Sequence, residues 1–254
     1  MNKLDTFPPL YYINLDDRVD RNNYMTSMLD RHNITGNRIS AINGRLGQHL
    51  PHVDELPNRL RPNEIACTIS HLRAIQYWLS TSTSDTAIIC EDDISFDESS
   101  KWKFSWSDVV SSLPFYWEIL QCCIIFHPQN EIIVNLHHRT SYDYSAACYL
   151  IKRSYAERLM SYYWNPVTLK WKLNMNSPFP LTSEETLYRP GVCLSIPLFT
   201  FTNEHGSDIQ TSDHLETYHT FSKKIYTTIW DQLELVNSSH DIILKMHPLV
   251  TFQK

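Results

Sequence analysis

The sequence predicts an α/β protein built on a mostly parallel sheet, and two observations carry that expectation. Short apolar runs alternate with helix-period segments through the first ninety residues, in the order strand, helix, strand, helix, strand. Two of those runs end in charged clusters, Asp16-Asp17-Arg18 and Glu91-Asp92-Asp93. In parallel sheets ligands bind beyond the carboxyl ends of the strands, where such clusters fall.

The elements follow in order. "PLYYINL" (9–15) is a buried strand, and a helix follows from Arg21 to Arg31 with Tyr24, Met25, Met28 and Leu29 on one side. "NRISAING" (37–44) is a short strand ending at a glycine. The clearest helix starts with Asn63 as the expected N-cap and Glu64 in the first turn, and Ile65, Ile69, Leu72 and Leu79 form its apolar stripe. A strand at 87–90 precedes the acids. Further on, 115–126 is a strand region, 130–138 a hairpin arm, 144–151 a strand and 154–163 a short helix. "TSEETLYRP" (182–190) is a capped helical turn, "VCLSIP" (192–197) closes the core, and a polar stretch begins at 202. With no Pro/Gly-rich linker, the chain is expected to form one domain plus a C-terminal extension.

At 254 residues, 42% of them hydrophobic and 20% charged, the chain can bury a large core. Its net charge of −6 and lack of a basic run argue against nucleic acid as partner. No leader and no apolar stretch long enough to span a membrane is seen, so the expected compartment is the cytoplasm. The six cysteines mostly lie in apolar runs and form no CxxC pair, as expected of reduced core residues. With five glycines and neither GxGxxG nor GxxxxGK[ST], dinucleotide and Walker-type phosphate loops are excluded.

Three acids at a strand end need a reason. In extended chain Glu91 and Asp93 share a face while Asp92 points away, and hard carboxylate oxygens so placed suit Mg²⁺ or Mn²⁺. A solvated acidic turn is the bland alternative. Arg18 and Arg21, past the first strand, belong at the same sheet edge and can hold a diphosphate, or else make surface ion pairs. Glu64 and His71 share a helix face, with Ser70 and Arg73 as neighbours. A lone helical histidine is more often structural than catalytic. His137-His138 flanks a strand and loop and is read as surface. The aromatics of "KWKFSW" and "WNPVTLKWKL" either stack on sugar rings or belong to the core.

Taken together, "YYINLDDRVDR" (11–21), "RISAING" (38–44), "NEIACTISHLRAIQYWL" (63–79) and "IICEDD" (88–93) resemble glycosyltransferase family 25 in order and spacing. Looser likeness continues in "WEILQ", "SAACYLIKRSYAERLM", "SEETLY" and "GSDIQ", so that it spans roughly residues 10–210. Ala66 stands where the family usually has glycine, Cys90 where leucine is commoner, and "LQCC" replaces "IQL". The resemblance implies a GT-A-type nucleotide-sugar-binding fold over 1–210, with a mixed, mostly parallel central sheet flanked by helices and an extension, 211–254, packed on it.

The resemblance also implies transfer of a hexose, galactose first and glucose next, from a UDP-sugar to a hydroxyl acceptor. That acceptor would be a glycan, a lipid-linked glycan or a hydroxylated peptide. Asn14, Arg18, Arg21, Glu64, Ser70, His71 and Asp92 would then bind the donor and its diphosphate. Glu91, Asp93 and His205 would hold Mn²⁺ or Mg²⁺. Inverting transfer needs a base, for which Glu184 and Glu185 stand in the matching segment, unless both are first-turn acids only. The family more often has an aspartate-containing form there. A catalytically idle binding module of the same fold is the alternative; a metal-dependent phosphohydrolase would need more carboxylates on separate strand ends.

Overall fold

The structure is a computed structural model that describes residues 3–57, 59–173, 182–202, 215–236, 239–246 and 250–252. β1 (Leu10–Asn14) leads through α1 (Val19–Arg31) to β2 (Gly36–Ser40), which returns through α2 (Pro62–Thr81) to β3 (Thr86–Glu91). These three strands pair in parallel with β1 in the middle. The first connection runs from β1 out to β2 and the second runs back from β2 past β1 to β3, so right-handed crossovers put α1 and α2 on opposite faces of the sheet. Packing agrees. Leu10, Tyr12, Ile88 and Cys90 pack on one face with Met25, Met28 and Leu29 of α1. Tyr11, Ile13, Ala87 and Ile89 pack on the other with Ile65, Ile69, Leu72 and Trp78 of α2. Burial on both faces is why β1 and β3 read as unbroken apolar runs, each fully buried large side chain contributing about 1.5–3 kcal/mol, whereas the edge strand β2 buries only Ile39.

α2 starts earlier than Asn63 suggests. Arg61 is its N-cap, Pro62 takes the first helical position where no N–H is needed, and the Arg61 N–H donates to Glu64 Oε2 at 2.7 Å. Glu64 at the third position therefore satisfies the cap.

Beyond β3, a short β4 (Ile94–Ser95) and α3 (Trp106–Ser112) precede β5 (Ile119–Gln121), β6 (Ile132–Ile133), β7 (His137–His138) and β8 (Cys148–Lys152). α4 (Arg153–Tyr163), the β9–β10 ribbon (Trp164–Asn165, Lys170–Trp171), α5 (Ser183–Tyr188), β11 (Cys193–Ser195) and β12 (Thr200–Phe201) follow. α6 (Thr220–Glu234), α7 (Ser239–Leu244) and β13 (Thr251–Phe252) end the described chain. The seven-stranded sheet runs β2-β1-β3-β8-β5-β11-β7. β2, β1, β3, β5 and β11 point one way, β8 and β7 the other. The expected class, a mixed, mostly parallel sheet flanked by helices, is the one observed.

Several local expectations change. The strand region at 115–126 contracts to Ile119–Gln121. The arm at 130–138 is two pieces: Ile132–Ile133 pairs with β13, and His137–His138 pairs with β11. Only His138 is exposed; His137 is buried, its Nδ1 2.6 Å from the Asn135 carbonyl and its Nε2 3.2 Å from Asp143 Oδ2. Strand alternation sends neighbours to opposite faces, which corrects the surface reading for His137.

Trp102, Phe104 and Trp106 are core residues: Trp102 and Phe104 stack at 5.1 Å, and Trp102 lies 5.8 Å from Trp230 of α6. α6 is tied in further by the Ile124 N–H donating to Tyr226 Oη and the Phe126 N–H donating to Ser222 Oγ, both at 2.8 Å. All six cysteines are free and only Cys67 is not fully buried. No helix among the described residues is long and apolar enough to cross a membrane.

Candidate active site

β1 and β3 end side by side where the two crossovers part, the topological switch point at which α/β sheets bind ligands. The last residue of β1, Asn14, is the hub. Its Oδ1 accepts from Arg38 Nε at 2.7 Å, and its Nδ2 donates to Asp92 Oδ2 at 2.7 Å and to the Arg18 carbonyl at 3.1 Å. Arg38 also donates to Asp16 Oδ1 at 2.6 Å, so β2 is clamped to the loop after β1. The strand period ends at Glu91, and Asp92 and Asp93 sit in the turn beyond it. Asp92 is buried and takes a second bond from Arg21 Nη1 at 2.6 Å, while Asp93 Oδ2 lies 3.6 Å from the same nitrogen.

The acids thus differ in surroundings and in charge. Burial pushes the Asp93 carboxyl up to about 7, with the charges of Glu91 and Asp92 adding to it and Arg21 opposing. Burial likewise raises Asp92, against the pull of Arg21 and Asn14. Burial acts on Glu91 in the same sense, but the hydrogen bond and charge of His71, with Arg21, outweigh it and leave this carboxyl below its usual range. Asp93 Oδ1 is buried and meets no hydrogen-bond partner among the described residues. A buried, unpartnered carboxylate oxygen next to two more acids is what a hard divalent cation would satisfy, so these residues fit the expected Mn²⁺ or Mg²⁺.

Two clefts meet at this turn. The first, open to solvent, is lined by Ile13, Leu15, Ala41, Ile42, Asn43 and Gly44 together with Arg21 and the three acids. Gly44 is there for closeness: a Cβ would stand 2.5 Å from the Pro62 carbonyl oxygen and 2.6 Å from Asn63 Oδ1. The second cleft holds Glu64, Ser145, Ala147, Ser183, Glu184, Phe201 and His219. Cys67, Glu91 and Asp93 border both.

The expected site residues therefore separate. Asn14, Arg21, Ser70, His71, Glu91, Asp92 and Asp93 converge at the switch point. Ser70 acts by positioning, since its hydroxyl accepts from the Ile42 N–H at 2.9 Å and donates to the Ala66 carbonyl at 2.7 Å. Arg18 pairs with Asp20 at 3.0 Å and lies outside both linings. Glu64 reaches the second cleft but is held by Arg61. Glu184 lines the second cleft; Glu185 instead lies 3.8 Å from Arg189. His205 lies outside the described residues.

Sequence reasoning missed Arg38, Asp16, Cys67, Tyr149, Ser183 and His219. Cys67 was legible as the residue one helical turn before His71. His219 was not: it reaches the second cleft only because α6 packs on the sheet.

No curated protein sequence matches the chain. Among solved structures it is similar to protein A197 from STIV, with TM-score 0.44, 9% identity, 81% of this chain and 100% of that chain covered. It is also similar to a glycosyltransferase involved in glycosylation of the major capsid of PBCV-1, with TM-score 0.39, 9% identity, and 75% and 81% covered. A third likeness is to a mutant Drosophila β1,4-galactosyltransferase 7 in complex with manganese, UDP-Gal and xylobiose, with TM-score 0.40, 14% identity, and 87% and 79% covered. The profile of glycosyltransferase family 25 (LPS biosynthesis protein) matches residues 7–171, more than half of the sequence, and the chain belongs to that family of glycosyltransferases.

Proposed function

We propose that the protein transfers a hexose, galactose before glucose, from a UDP-sugar to a hydroxyl group of a glycan, lipid-linked glycan or hydroxylated peptide, with inversion and with Mn²⁺ or Mg²⁺. The observation that carries the reading is the buried, unpartnered Asp93 Oδ1 at the junction of the two clefts. Asp93 would hold the cation with Glu91 assisting, and Asp92, already bound by Asn14 and Arg21, would keep the turn in place. A divalent cation there supplies positive charge that stabilises the leaving nucleoside diphosphate.

The chain's own groups divide the remaining work. The apolar floor formed by Ile13, Ala41 and Ile42 suits a nucleoside, with Arg21 at the diphosphate end. The acceptor hydroxyl enters by the second cleft, where Glu184 takes its proton as the oxygen bonds to the anomeric carbon. The bond from that carbon to the diphosphate oxygen breaks, its electron pair leaving with the diphosphate. The sequence candidate His205 keeps its proposed role as a late metal contact, and His219 offers a second imidazole at the second cleft.

Calorimetry with UDP in the presence and absence of Mn²⁺ tests the reading. Metal-dependent UDP binding is expected. Absence of UDP binding under both conditions would favour an idle module of the same fold.

A further inference from the structure

On the buried side of the acids lies a different set of donors. Cys67 and His71 are one turn apart on α2, and both face Glu91. Cys67 Sγ is 3.8 Å and His71 Nε2 3.3 Å from the same Glu91 oxygen, Oε1, and the three donor atoms all lie within 4.8 Å of one another. A tetrahedral Zn²⁺, about 2.3 Å from sulfur and about 2.0–2.1 Å from nitrogen and oxygen, sets its ligand atoms roughly 3.3–3.6 Å apart. The two separations to Glu91 Oε1, 3.8 and 3.3 Å, stand near that spacing, and the sulfur and nitrogen lie within 4.8 Å of each other. We infer that Cys67, His71 and Glu91 form a binding site for a borderline-soft divalent cation, Zn²⁺ by preference, with its fourth position open to the clefts.

Two neighbours complete the arrangement. Tyr149 Oη lies 3.2 Å from His71 Nδ1, the outer contact that orients a metal-bound imidazole. A phenol hydroxyl both donates and accepts, so it serves the ring with its proton on either nitrogen. Ser183 Oγ donates to Cys67 Sγ at 3.2 Å, a bond that gains strength once the sulfur is a thiolate. On binding, the S–H bond of Cys67 breaks, sulfur keeps the electron pair to bond the cation, and one proton leaves to solvent. With a neutral imidazole, His71 would give its Nε2 lone pair to the cation and carry its proton on Nδ1, which Tyr149 Oη would accept. Sulfur makes this site unlike the all-oxygen site at Asp93, and carboxylate oxygens select hard cations where thiolates select soft ones. Both sites use Glu91, so on the transferase reading above Zn²⁺ here competes with the hard cation.

Titration of the intact protein with Co²⁺, followed by absorbance, tests the inference without any nucleotide. One equivalent should produce a thiolate-to-cobalt charge-transfer band with tetrahedral visible bands, and one equivalent of Zn²⁺ should discharge them. Cys67→Ser should abolish the charge-transfer band, and Tyr149→Phe should weaken the metal about 10–100-fold. Asp93→Asn should leave the band in place, which separates this site from the proposed transferase cation. Absence of the band in folded wild type, or its survival in Cys67→Ser, overturns the inference. If Cys67→Ser does not fold, Zn²⁺ protection of Cys67 from alkylation in wild type, read by peptide mass spectrometry, decides: no protection overturns it.

Discussion

Asp93→Asn is the most informative substitution, because it separates what the acid costs the fold from what it does for a ligand. In the folded protein burial and the neighbouring acids raise this carboxyl from an ordinary 3.8 to about 7. Between those values the native state holds a proton that the unfolded chain has lost, so native stability falls as pH rises through that window. About three units at 1.36 kcal/mol each make the penalty above pH 7 about 4 kcal/mol if Asp93 bears it alone, and less as Glu91 and Asp92 share it. The amide keeps the size of the side chain and removes the charge. The Asp93 carbonyl still accepts from the Thr202 N–H at 2.7 Å, so the turn keeps its anchor.

Without metal at pH 8, the variant should therefore melt above wild type, at roughly 2–4 °C per kcal/mol recovered. At pH 5 most of the difference should vanish. Added Mn²⁺ should raise the melting temperature of wild type and leave that of the variant unchanged. Thermal denaturation followed by circular dichroism at both pH values, with chelator and with Mn²⁺, reads all of this. A variant less stable than wild type at pH 8 in chelator would refute the electrostatic argument, and equal stabilisation of both proteins by Mn²⁺ would refute the ligand assignment.

Glu184→Gln should lower transfer about 10²–10⁴-fold while UDP affinity stays within a few-fold, whereas Glu185→Gln, at a residue directed to Arg189, should stay within tenfold of wild type; steady-state kinetics on the pair checks the division, and equal effects would undo it. Gly44→Ala should weaken UDP binding at least tenfold by calorimetry and lower stability, since the new methyl meets the Pro62 carbonyl at 2.5 Å and displaces the start of α2 from the first cleft. Unchanged binding would show that the loop gives way without touching the site.

The local parts of this protein were written in its sequence. Apolar runs of strand length around helix-period segments determined β1, α1, α2 and β3, because strands buried on both faces leave no other pattern, while the edge strand β2, with only Ile39 buried, was marked by its place between the two helices. The charged strand ends located the switch point for the same reason, and the spacing of Cys67 and His71 put them on one face of α2. What the sequence left open is what distant segments do to each other. The aromatics at 102–106 suited a sugar or a core equally until α6 brought Trp230 against them. Glu184 and Glu185 are adjacent acids in one first turn, and only the packing of α5 against α2 turns one toward the cleft and the other to Arg189. The acids show the same division. Their cluster was visible from the start, but Asp92 is bound by Asn14 and Arg21 while Asp93 keeps an unpartnered oxygen, a difference set by where β1 and α1 deliver their side chains. Periodicity is a short-range property that a chain carries along its length; the field at a carboxylate is summed over everything packed around it, and tertiary structure alone decides that.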